Sequence, residues 1–293
     1  MANYHYIVSS LIDYSIENDA KGFDTEALCL ELQGLLSTSD WKKLSDLWWF
    51  FDLRNILDIR SGRKGVYSPL SNLTQSEVEI ISKYYDADST EEIELEQLPV
   101  LPKEISKLLL AYKDDSFASE NNINTFEPID SKIWAAYYKM ATSSKSKFIA
   151  TWSQFDLDVR NISAAFTARV KKRNIQEVLI GENEVVKLIL SNESVQDFGL
   201  KNEFAATDEL FQILSEKDML LKERNLDKLR IKIIDELVAF DYFNMETILA
   251  YMVKISLLNR WSMLSSERGD EVLTSLTSKL TANDIIAQKR SNS

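Results

Sequence analysis

Apolar residues recur at three- and four-residue spacing along most of this chain, which is the signature of amphipathic helices. The opening differs. Tyr4 to Ser10 is aromatic and β-branched and fits either a short strand or the start of a helix. Thr25 then reads as an N-cap, with Leu28, Leu32, Leu35 and Leu36 at helical spacing behind it. A helix dense in aromatics follows from Trp41 to Arg60, and Gly62 in Ser61-Gly62-Arg63-Lys64-Gly65 is its candidate left-handed cap. Thr74-Gln75-Ser76-Glu77 fits a capping box ahead of Val78, Ile80 and Ile81. Lys103 to Tyr112 reads as one short helix between two polar stretches. The first stretch, Asp86 to Pro102, is acidic at Glu91, Glu92, Glu94 and Glu96; the second runs from Asp114 to Asp130.

Beyond Asp130 the helical pattern runs nearly unbroken. Trp134, Tyr137, Tyr138 and Ala141 share a face. Helices are expected over Lys147 to Lys172, over Gln176 to Ser191 with a break at Gly181, from Thr207, and over Leu226 to Phe240. Ile248, Met252 and Ile255 form a stripe leading to Trp261, and Gly269 precedes a last short helix and a polar tail. The pattern divides into an N-terminal helical lobe (1–113), a polar linker (114–130) and a helical region (131–293).

Composition sharpens this picture. Gly (7) and Pro (4) are scarce in 293 residues; average usage would give roughly 20 and 15. Turn-rich β folds and doubly wound α/β folds need many glycines, so an all-α fold is favoured. The 45% hydrophobic content is enough for a substantial core. No apolar stretch approaches the ~18 residues of a membrane span, and the first residues lack the basic start of a signal peptide. The single Cys29 excludes an intramolecular disulfide and fits a reducing compartment. A net charge of −12 argues against nucleic acid and anionic lipid as partners, because affinity for both comes from Lys and Arg.

Candidate chemistry is thin. His5 is the only histidine, so a His-based triad has one possible centre, and it sits in a terminal aromatic stretch suited to packing. Cys29, between Leu28 and Leu30, reads as a small core residue, and a zinc site would lack ligands. No phosphate-binding loop is present. Asp197-Phe198-Gly199 matches a kinase tripeptide without its companion motifs. The chain therefore offers no catalytic, cofactor or metal site. Lys171-Lys172-Arg173 is the clearest basic cluster and reads as a solvated helix end. Trp48-Trp49-Phe50-Phe51 cannot all face one core on a helix, so some must pack on another lobe or anchor a partner.

One pattern repeats. Phe51-Asp52-Leu53-Arg54-Asn55-Ile56 recurs as Phe155-Asp156-Leu157-Asp158-Val159-Arg160-Asn161-Ile162, with two extra residues, and more weakly as Phe240-Asp241-Tyr242-Phe243-Asn244-Met245. Each copy is read as opening a long helix that carries an arginine: Arg60, Arg169 or Arg260. Asp52, Asp156 and Asp158 are candidates to pair with Arg54 and Arg160, as caps or salt bridges between lobes. This pattern resembles the family of C-type central-stalk subunits of V/A-type ATPases (the d-type subunits of eukaryotic V-type enzymes). Phe243 to Lys254, with Ala250-Tyr251 and the later Arg260, is similar to that family's C-terminal segment. Met1 to Leu11 resembles the opening of an uncharacterised bacterial family whose genes sit in V-type ATPase operons. The acidic and polar insertions of the first lobe, and Phe243 in place of arginine, depart from the pattern.

The resemblance implies three similar helical lobes in a funnel. It implies a non-catalytic central-stalk part that couples the rotor shaft to the membrane ring in ion transport. The implied partners are the other ATPase subunits. The implied location is cytoplasmic, with membrane contact only through the ring. Asp52, Arg54, Asn55, Arg60, Asp156, Arg160, Asn161, Arg169, Asn244 and Arg260 are the motif and partner-contact candidates. Two other readings stand beside it: a helical scaffold or adaptor unrelated to rotary motors, and an all-α enzyme using carboxylates of raised pKa in a deep pocket.

Overall fold

The computed structural model describes residues 4–13, 16, 25–62, 67–68, 70–86, 93 and 97–263, apart from the side chains of Glu26, Arg260, Ser262 and Met263. The acidic run at Glu91, Glu92, Glu94 and Glu96, the segment around Gly269 and the polar tail lie outside the described residues. Within them the fold is all-α, with no strand. The helices are α1 (His5–Ser10), α2 (Thr25–Leu35), α3 (Thr38–Arg60), α4 (Gln75–Tyr84), α5 (Lys103–Ala111), α6 (Asp115–Glu120), α7 (Ile129–Thr142), α8 (Lys147–Val170), α9 (Glu184–Ser191), α10 (Thr207–Leu214), α11 (Met219–Leu237) and α12 (Met245–Met263).

Local chemistry sets most of the boundaries. Ser37 accepts from the Asp40 amide at 3.2 Å and starts α3 three residues before the apolar pattern becomes visible. Thr74 and Glu77 form the expected capping box of α4. Asp218 accepts from Leu220 N and Leu221 N, so α11 begins at Met219 rather than at Leu226. Gly62 adopts φ +64 just past α3, as its cap position requires. Tyr4 to Ser10 forms a helical turn, not a strand. The polar stretch from Asp114 is not wholly a linker. Asp114 caps α6 by accepting from Ser116 N and Phe117 N, and Ala118 is buried there.

The core divides differently from the sequence pattern. One apolar cluster joins residues of α1 to α5 with α7, the first half of α8 and α12. It includes Leu44, Leu53, Ile81, Ile105, Ile133, Ile149 and Ile248. A second cluster takes over halfway along α8, where Val159, Ile162 and Ala165 meet α9, α10 and Leu226 and Leu229 of α11. Thus α8 runs through both clusters, and the packing boundary crosses a helix rather than residues 114–130. The aromatic run of α3 packs between elements. Phe50 lies 5.1 Å from Trp134 and 5.8 Å from Tyr137 of α7, ring centre to ring centre.

Candidate functional site

The repeated motif is a fastening device, and it occurs in two equivalent copies. Asp52 and Asn55 lie in the second half of α3. Asp52 is fully buried and accepts from Leu73 N at 2.9 Å, Asn72 N at 3.1 Å and Asn72 Nδ2 at 2.7 Å. Asn55 Oδ1 accepts from Ser68 N at 3.2 Å. The chain therefore leaves α3, doubles back to the level of Asp52, and starts α4 there. Arg60, in the last turn of α3, donates to Tyr85 O at 2.8 Å and holds the far end of α4. The second copy repeats this. Asp158 accepts from Asn183 Nδ2 at 2.6 Å, and Asn183 is the N-cap of α9. Asn161 Oδ1 accepts from Ile180 N at 2.8 Å while its Nδ2 donates to Ile180 O at 2.9 Å. Arg169 donates to Val195 O and Gln196 O, each at 2.6 Å, beyond the end of α9.

This geometry corrects the alignment read from sequence. The true match is ungapped: Asp52-Leu53-Arg54-Asn55-Ile56 with Asp158-Val159-Arg160-Asn161-Ile162. Asp158, not Asp156, is the counterpart of Asp52. Neither copy opens its helix. The first lies in the second half of α3 and the second at the middle of α8, because their work is to hold the connection that returns alongside. The third copy does something else. Asp241 and Asn244 sit in the turn before α12, where Asn244 Oδ1 accepts from Thr247 N at 3.2 Å and its Nδ2 donates to Asp241. The side chain of Arg260 lies outside the described residues.

Arg54 and Arg160 do not pair with these acids. Arg54 is exposed, 4.0 Å from Asp58, and Arg160 lies over the Trp134 ring at 4.6 Å. Asp156 belongs to a separate, partly buried network. It accepts from Tyr138 OH at 2.7 Å and faces Arg230 Nε at 3.5 Å. Arg230 also meets Asp227 at 3.2 Å, and Asp227 accepts from Trp261 Nε1 at 2.8 Å. The network ties α7, α8, α11 and α12 together around one cation. Burial alone would depress the Arg230 pKa, but Asp156 and Asp227 outweigh it and push the pKa up. Sequence reasoning misses Asp227 and Arg230. Their signal there is a charged pair one turn apart on the face that carries Leu226 and Leu229.

Burial pushes the pKa of Asp52 up to about 6, against the opposing bonds from Leu73 and Asn72. Burial raises Asp158 as well. Neither carboxylate lines the cleft on α8 or the groove between α1, α11 and α12. Their bonds go to the neighbouring loop. Among the described residues, no group of three or more His, Cys, Asp or Glu is placed to hold a metal. None of the described helices is long and apolar enough to cross a membrane.

A family model described as "Protein of unknown function (DUF2764)" matches residues 1–283. The chain belongs to the DUF2764 family. An uncharacterized protein of Chlamydia muridarum (strain MoPn / Nigg) is 27% identical over 252 residues, covering 83% of this chain and 87% of the relative. One of Chlamydia trachomatis serovar D (strain ATCC VR-885 / DSM 19411 / UW-3/Cx) is 25% identical over 239 residues, covering 80% and 82%. No solved structure matches the chain significantly.

In this DUF2764 protein α3, α8 and α12 start at a common end. Glu246, in the first turn of α12, accepts from Phe148 N at 2.7 Å and from Ser146 Oγ at 2.7 Å, capping α8 from outside. Tyr4 N donates to Phe243 O, just before α12, and Tyr4 OH donates to Asp40 in the first turn of α3 at 2.5 Å. The lone histidine, His5, is exposed and its ring packs on Phe243 at 4.0 Å. Around this end stand Tyr6, Phe240 and Tyr242, which are 76%, 91% and 72% exposed. Large exposed aromatics are costly to leave in water and are favoured in contact surfaces.

Proposed function

We propose that this protein is a non-catalytic part of the central stalk of a V/A-type ATPase, similar to the C-type stalk subunits and acting by contact between rotor shaft and membrane ring. The observation that carries the reading is the common end of α3, α8 and α12, with Tyr6, Phe240 and Tyr242 exposed around it. A coupling part must meet its partners end-on and resist twisting. Long helices tied to one another at one end, with side chains for contact around that end, suit that task. The resemblance of the Asp-x-Arg-Asn-Ile segments and of the α12 segment to the C-type stalk family supplies the identity of the partners. A stalk part needs no active site of its own, and it stays cytoplasmic, held at the membrane through the ring. The helical-adaptor reading also has an observation in its favour. The fastening device occurs twice, not three times, among the described residues.

The test is affinity isolation of the tagged full chain from native membranes at moderate salt, with partners identified by mass spectrometry. The reading expects the catalytic, shaft and ring proteins of the ATPase together. It also expects their recovery to fall when Phe240 and Tyr242 are both changed to Ser. Absence of all of them, with the intact ATPase present in the same preparation, would leave the adaptor reading.

A further inference from the structure

The common end of α3, α8 and α12 carries cations as well as aromatics. Lys145 and Lys147 flank Ser146, the N-cap of α8, and Lys139 lies in the last turn of α7, just ahead of them. All three lysines are exposed. Among the described residues none of their amines has a hydrogen-bond or ion-pair partner. The acids of this end face donors of the chain itself. Glu246 accepts from Phe148 N and Ser146 Oγ, Asp241 accepts from Asn244 Nδ2 at 2.8 Å, and Asp40 holds Lys43 at 2.7 Å. Phe240 and Tyr242 stand exposed in the turn just ahead of Glu246, and Tyr6 follows His5, whose ring packs on that turn at Phe243. The turn is fixed in a conformation that a bulky residue seldom adopts. Phe243 has φ +52, Tyr4 N donates to Phe243 O at 2.9 Å, and Thr247 Oγ1 donates to Asp241 O at 2.9 Å. A surface ordered in advance loses little freedom on binding.

The net charge of the chain is −12, so an acidic partner is repelled over most of its surface and admitted where cations stand without counter-charges. Aromatic side chains anchor protein contacts, and the charges around them set orientation. An anionic bilayer is an extended negative plane that meets the acidic remainder of the chain along with the three lysines. A protein patch of limited size meets this end alone. We propose that Lys139, Lys145 and Lys147 join Tyr6, Phe240 and Tyr242 in one docking surface for an acidic patch of a neighbouring protein. Its carboxylates lie on the lysines and its apolar side chains on the aromatics. The proposal rests on the reading of this end as the contact surface of a stalk part, and it adds the partner's chemistry: the motor protein that meets this end presents Asp or Glu to it.

The test is zero-length cross-linking of the tagged full chain in its native membranes. A water-soluble carbodiimide joins a lysine amine to a carboxylate in direct contact, and mass spectrometry locates the joined peptides. The expected result is Lys139, Lys145 or Lys147 joined to Asp or Glu of another protein. Lys145→Glu with Lys147→Glu should lower recovery of that protein about tenfold at low salt, while Lys145→Arg with Lys147→Arg keeps it. An unchanged melting temperature confirms that the variants fold. Joining to a shaft or ring protein of the ATPase supports both this proposal and the stalk reading. Joining to some other protein supports the acidic contact and ends the stalk reading. Recovery of the ATPase with other lysines joined to it, but none of these three, overturns the proposal and leaves the stalk reading standing. Links only within the chain or to a second copy of it overturn the proposal as well. So does co-sedimentation with phosphatidylglycerol vesicles that the Lys→Glu variant loses, which would make the surface a lipid contact.

Discussion

Asn161 offers the sharpest test of the fastening device. Its amide closes a two-bond ring with a single residue, donating to Ile180 O and accepting from Ile180 N at 2.9 and 2.8 Å. Asn161 is fully buried and Ile180 nearly so. Asn161→Ala strands both backbone groups away from water. A buried unsatisfied group costs about 1–3 kcal/mol, so the variant should lose roughly 2–5 kcal/mol. Asn55 in α3 is the built-in comparison. Its Oδ1 accepts one bond at 3.2 Å, and its Nδ2 is buried without a partner. Asn55→Ala strands one group and relieves another, so it should cost about 1–2 kcal/mol. Urea unfolding of both variants, with the m-value checked against the parent, measures the difference. Equal losses at the two positions would refute the reasoning, because volume and helix propensity change identically in both.

Asp52 makes stability depend on pH. Its folded pKa is raised from 3.8 to about 6, so its favourable contribution is complete below 3.8 and is lost as pH rises through about 6. The margin of the parent over Asp52→Asn should therefore shrink by about 1 kcal/mol between pH 5 and 7.5, of roughly 3 in total; a margin that grows would contradict this. Arg230→Met removes the cation between partly buried Asp156 and fully buried Asp227 and should cost about 3 kcal/mol in chemical denaturation, whereas a loss under about 1 would show that the network is not holding α8 and α11 together. Glu246→Ala removes the outside acceptor at the start of α8, leaving the Ser146 cap, and should cost about 1 kcal/mol, with faster amide exchange at Phe148 as the local readout.

Much of the fold is legible in the sequence because its signals are local. The capping box at Thr74, the cap at Gly62 and the shared face of Trp134, Tyr137, Tyr138 and Ala141 need only a few neighbouring residues, and the structure contains all three. What is not legible depends on residues far apart in the chain. The pairing of Asp158 with Asn183 spans 25 residues, and the capping of Ser146 and Phe148 by Glu246 spans about a hundred. Periodicity cannot report such contacts. The gapped alignment that promotes Asp156 puts weight on a Phe-Asp pair. The structure puts it on the Asp-to-Asn spacing of one helical turn, which turns both side chains toward the same returning loop. Residues 114–130 look like a linker by polarity, yet Asp114 is polar because it caps α6.

The most direct test of the central claim is a cryo-electron microscopy map of the intact membrane ATPase isolated through a tag on this chain. The account predicts a helical body at the base of the central shaft, touching the ring, into which α3, α8 and α12 fit with their common end against a neighbouring protein of the motor. A map of the complete motor with that position empty, or filled by a different protein, would contradict it.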